Sequence, residues 1–81
     1  MKKILRFTAS WCKPCISLSK NLEEAKLDIP IEIVDIDVFD NIAVDHAIRS
    51  VPTLLLLDDG KEKTRLVGVH TPQQIREWAN D

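Results

Sequence analysis

The segment Thr53-Leu54-Leu55-Leu56-Leu57 limits what this chain can fold into more than any other. It is a continuous apolar run without polar alternation, as expected for a strand covered on both faces. A chain of 81 residues must then place helices on both sides of one sheet. The flanking residues fit that demand. Asp58-Asp59-Gly60 is a hairpin signal, and Lys63 to Val67 returns as an edge-like strand that Gly68 ends. Thr71 caps a last helix, with Pro72 at its first position and Gln74 completing a capping box. Ile75, Trp78 and Ala79 form the buried face of that helix.

The N-terminal half supplies the remaining elements. Ile4 to Thr8 reads as a short strand, with Leu5 and Phe7 assigned to opposite faces. From Lys13 the period becomes helical, and Cys15, Leu18, Leu22 and Ala25 fall on one face. Pro14 suits the first turn, where its missing N–H is no loss. Ile31 to Asp37 is β-branched and alternating, a strand. Asp40 is expected to cap a shorter helix that packs through Ala43, Val44, Ala47 and Ile48. The order is β-α-β-α-β-β-α. It predicts an α/β fold with a four-stranded mixed sheet, helices on both faces, and residues 1–81 as a single domain. The first β-α-β forms a right-handed parallel unit, and the hairpin makes the last two strands antiparallel.

The chain has two cysteines, Cys12 and Cys15, at the junction of the first strand and first helix. Cysteines three apart on a helix's first turn lie roughly 5–6 Å apart at Cα, within disulfide range. The loop they close is so short that a bridge adds little stability. That favours a disulfide that opens and closes. In open α/β sheets ligands meet the carboxyl ends of strands, and Cys12 follows such an end. At a helix N-terminus the unpaired N–H groups and the dipole stabilise a thiolate. Cys12 is therefore expected to be the nucleophile and the more exposed of the pair, and Cys15, one turn in, the shielded resolving thiol. Lys13 adds a positive charge beside them, or is simply a solvated lysine.

Charge and composition narrow the alternatives. The net charge is −2 with both signs mixed along the chain, which leaves no footprint for nucleic acid or anionic membrane. The charged opening Met1-Lys2-Lys3 is followed by an apolar stretch broken at Arg6, too short for an export signal. No segment approaches the ~20 apolar residues that cross a bilayer. The expectation is a cytoplasmic protein. A zinc site would need nitrogen ligands, and His46 and His70 lie far from any compact zinc-module spacing. No metal and no cofactor is expected, and both histidines are placed on the surface.

Trp11-Cys12-Lys13-Pro14-Cys15, then Val51-Pro52-Thr53, then Gly68-Val69 resemble the thioredoxin family in order and separation. The resemblance spans Phe7 to Trp78. It implies a thioredoxin-like fold and a protein-disulfide reductase working through reversible Cys12–Cys15 exchange. It also implies a cis Pro52 facing the cysteines, and a Gly68 that leaves space for substrate backbone. Trp11, Lys13, Pro14, Val51, Pro52, Gly68 and Val69 are the implied substrate-binding residues. Val51's backbone could pair with a substrate strand. The implied partners are protein disulfides and a thioredoxin-reductase-type flavoenzyme, with the chain acting as a monomer.

The pattern also departs from the family. The size is closer to a glutaredoxin. Arg6 stands where the family places a buried aspartate that helps the resolving cysteine lose its proton, and Ile33 replaces that aspartate's lysine partner. Arg6 is expected to snorkel to the surface, leaving water, Asp35 or Asp59 as proton acceptor for Cys15. Lys13 and Arg6 both favour a thiolate, so the potential should be less negative than the roughly −270 mV of thioredoxin. Two other functions stay open: a glutathione-dependent, glutaredoxin-like reductase, and a non-catalytic accessory subunit.

Overall fold

The computed structural model describes residues 1–80. Seven elements follow one another: β1 (Lys2–Thr8), α1 (Lys13–Ala25), β2 (Ile31–Asp35), α2 (Asp40–Asp45), β3 (Thr53–Asp58), β4 (Lys61–Val67) and α3 (Pro72–Ala79). The sheet runs β2-β1-β3-β4. β1 pairs in parallel with β2, while β1–β3 and β3–β4 are antiparallel. The run Thr53–Leu57 thus lies in an interior strand, and Leu54, Leu55 and Leu56 are fully buried.

Two cores follow from the pleat, because alternate side chains take opposite faces. Ile4, Leu54 and Leu56 meet Leu18, Leu22 and Ala25 of α1 and Ile75 of α3. On the other face Leu5, Phe7, Val34 and Leu55 pack with Ala43 of α2. Leu5 and Phe7 therefore share a face, contrary to expectation. Residues two apart on a strand point the same way, and Ile4 is the one that opposes them.

Tertiary context redraws three boundaries. β2 stops at Asp35 because Val38 and Phe39 donate their N–H groups to the Asp35 carbonyl, turning the chain. α2 is preceded by Phe39 at its N-cap, without a side-chain cap bond. Asp40 lies inside the first turn, where its charge suits the helix dipole without capping. α2 ends early. Ala47 takes φ 54°, and Arg65 of β4 donates to the carbonyl oxygens of His46 (2.9 Å) and Ala47 (3.4 Å). Its packed side is therefore Ile42 and Ala43, with Ile48 beyond the helix, while Val44 and Ala47 are exposed.

α3 forms as its residues dictate. Thr71 accepts from the Gln74 N–H and the Gln74 side chain accepts from the Thr71 N–H, closing the capping box. Among the described residues no helix is long and apolar enough to cross a membrane.

Candidate functional site

Cys12 and Cys15 are joined by a disulfide with their Cα atoms 5.3 Å apart. The local sequence explains the placement. β1 ends at Thr8, and Cys12 takes the extended N-cap conformation with φ −94° and ψ 103°. Pro14 sits in the first turn, where no intrahelical partner is lost. The Cys15 N–H donates to Cys12 Sγ at 3.2 Å, so the cysteine itself occupies the capping position. A reduced Cys12 sulfur would sit at the positive end of the helix and accept a backbone N–H, and both effects favour its anion.

Both sulfurs belong to a small cluster with Ala9, against which Ile36 and Val51 pack. Cys12 is 5% exposed and Cys15 2%. Cys12 is thus the more exposed of the pair, as expected, although both are buried. Helix geometry alone leaves its side chain open, but the loop carrying Val51 covers it. The Val51–Pro52 bond is cis and Pro52 is buried. Among the described residues the backbone N–H and C=O of Val51 have no hydrogen-bond partner.

The remaining candidate residues surround this cluster. The Gly68 N–H donates to the Pro52 carbonyl at 2.9 Å, tying the two loops together. Gly68 has φ +91°, and a Cβ there would meet nothing within 4 Å. Val69 is exposed beside it, and the next residue's carbonyl accepts from Asn21 of α1 at 2.9 Å. Lys13 and Pro14 are exposed on the first turn. Trp11 is 66% exposed, and its indole N–H donates to Asp37 at 2.9 Å. Asp37 and Ile36 were not singled out from the sequence. Their only signal is position, just past the carboxyl end of β2.

The proposed proton acceptors fare differently. Asp59 lies in the hairpin at the opposite end of the sheet, paired with the N-terminal amine, and cannot serve Cys15. Asp35 stands at the right edge, opposite Thr8, with one oxygen accepting from the Asp37 N–H at 2.9 Å. Arg6 does not simply snorkel outward. It is half-buried and lines a cavity of about 450 Å³ shared with Cys12 and Cys15. Among the described residues no cluster of His, Cys, Asp and Glu could hold a metal. The histidines are half-buried rather than on the surface. His46 sets its ring edge against Phe7, with centroids 6.1 Å apart, and His70 Nε2 lies 3.0 Å from the Val67 carbonyl.

Comparison with known proteins gives one consistent answer. The family model described as Thioredoxin matches residues 1–81. A thioredoxin of Rickettsia bellii is 33% identical over 82 residues, covering 96% of this chain and 78% of that one. A thioredoxin of Chlamydia trachomatis is 41% identical over 69 residues, covering 82% and 68%. Among solved structures, the N21Q mutant thioredoxin from Halobacterium salinarum superposes with a TM-score of 0.90 at 27% identity, over 98% of this chain and 72% of that one.

Proposed function

Because the chain belongs to the thioredoxin family, we propose that its thiol–disulfide oxidoreductase activity runs through Cys12 as attacking thiolate and Cys15 as resolving thiol. The observation that carries this reading is the Cys12–Cys15 disulfide at the start of α1, with Cys12 Sγ accepting the Cys15 N–H. In the reduced protein the Cys12 thiolate attacks one sulfur of a substrate disulfide. A mixed disulfide forms and the second substrate sulfur leaves as a thiolate, taking a proton from water. Cys15 then attacks Cys12 Sγ, and the bond from Cys12 to the substrate sulfur breaks. Two electrons have passed to the substrate, and the protein is left in the disulfide form seen here.

The substrates are protein disulfides in extended segments. The Val51 backbone groups, unpartnered among the described residues and close to the cysteine cluster, suit pairing with a strand of any sequence. Trp11, Lys13 and Pro14 form one rim of the binding surface, and Val51, Pro52, Gly68 and Val69 the other. Exposed Trp11, Val67 and Val69 supply apolar contact area. Reduction by a thioredoxin-reductase-type flavoenzyme, action as a monomer and a cytoplasmic location complete the proposal.

The test is reduction of insulin disulfides with NADPH and a thioredoxin reductase, run beside a glutathione-driven assay. Cys12→Ser should abolish turnover, whereas Cys15→Ser should accumulate a mixed disulfide visible by intact mass. Turnover with glutathione alone would make the protein glutaredoxin-like. A biological role surviving both serine substitutions would make it an accessory subunit.

A further inference from the structure

The disulfide carries no charge, yet the cavity it lines is also lined by a cation. Arg6 lies mid-strand in β1, with Ile33 beside it on β2 and Leu54 on β3. Burial pushes its guanidinium pKa down. The group has five N–H donors, but among the described residues it makes no hydrogen bond or ion pair. The other charged side chains lining the cavity are Lys20 and Glu23 of α1. Glu23 forms no ion pair with Arg6. From β2, Asp35 stands opposite Thr8 and accepts the Asp37 N–H, and the β3 neighbour Leu54 is apolar. In the oxidised protein Arg6 is therefore a partly desolvated cation with no anion paired to it among the described residues.

We propose that Arg6 is the counter-ion of the Cys15 thiolate, so that the resolving cysteine ionises by charge stabilisation within the cavity and needs no carboxylate base. The assignment rests on reading Cys15 as the resolving thiol. When two electrons enter the disulfide the bond breaks, and both cysteines line the cavity that Arg6 also lines. Cys15 is almost fully buried, so water does little for its anion and burial alone would push its pKa up. A half-buried cation lining the same cavity works in the opposite direction. The released proton goes to water. The thiolate then attacks Cys12 Sγ, and the electron pair of the broken bond leaves on the substrate sulfur. Arg6 never touches substrate; it is a positioning residue that acts through Cys15.

The first test titrates the Cys15 thiolate by its ultraviolet absorbance in a Cys12→Ser background, where serine can still cap α1. Arg6→Gln should raise the midpoint by about one unit or more, a tenfold change in ionisation. Arg6→Lys should keep most of the wild-type value. Should glutamine prevent folding, Arg6→Met keeps the stem and drops the charge. The second test equilibrates the intact dithiol with a redox buffer from about pH 6 to pH 10. Wild type and Arg6→Gln should coincide at low pH and diverge as pH rises through the Cys15 pKa. The variant should become the more reducing, approaching a tenfold difference, about 30 mV.

An unchanged Cys15 titration, or an offset equal at every pH, overturns the proposal. If wild type fails to reduce protein disulfides while the titration shifts as described, the functional reading falls and the counter-ion assignment stands.

Discussion

Gly68→Ala separates two reasons for a glycine at the rim of the site. Its φ of +91° lies where an L side chain is strained, yet an added Cβ would meet no protein atom within 4 Å. The stability cost should therefore come from the backbone alone, about 1–2 kcal/mol. For a domain of this size that lowers Tm by roughly 4–16 °C. On the proposed function, the open space around the Cβ position is where a substrate backbone passes. Crowding there should weaken pairing by about one hydrogen bond, 0.5–1.5 kcal/mol, lowering kcat/KM for a protein disulfide up to about tenfold. A small aromatic disulfide does not lie along the loops and should lose much less. Thermal unfolding and parallel assays with insulin and an aromatic disulfide measure the three quantities. An unchanged Tm would show that the positive φ costs nothing here. Equal losses on both substrates would show that Gly68 shapes the cysteines rather than the substrate path.

Three further outcomes follow from packing and charge. Leu18 is fully buried between α1 and the sheet; Leu18→Ala should cost about 2.7–5 kcal/mol, much of the roughly 4–12 kcal/mol a domain this size has. Denaturant unfolding measures the loss, and one below about 1.5 kcal/mol would mean that the interface collapses onto the cavity. Thr71→Ala removes the cap of α3 and should cost about 1 kcal/mol, with Thr71→Ser restoring most of it in the same titration. Arg65 donates to both Glu62 oxygens at 2.7 Å and holds that carboxyl below its usual range. A carboxyl whose folded pKa is lowered stabilises above its unfolded pKa and loses that contribution as pH falls through the folded value. The pair is near the surface, so the effect should stay below about 1 kcal/mol. The gap between wild type and Glu62→Gln should be widest at neutral pH and close in acid. A gap that widens in acid would contradict the sign.

What the amino-acid order determined by itself is local. Thr71, Pro72 and Gln74 start a helix because their groups satisfy one another within a turn. Asp58-Asp59-Gly60 makes a hairpin, and Cys15, Leu18, Leu22 and Ala25 share a face by helical period. The redox motif is equally local, since a cysteine at the N-cap and another three residues on meet by helix geometry. The same-face placement of Leu5 and Phe7 was also legible from the strand period. Tertiary structure decided whatever depends on residues distant in the chain. Strand order put β2 at an edge and left Ile33 exposed beside Arg6. Arg65, from another strand, took the carbonyls where α2 stops. The loop bearing Val51 covered Cys12, Asp37 caught the Trp11 indole, and one cavity beside α1 came to be lined by both Arg6 and Cys15. Burial and unpaired charge are properties of assembled neighbours, and no short stretch of sequence contains them.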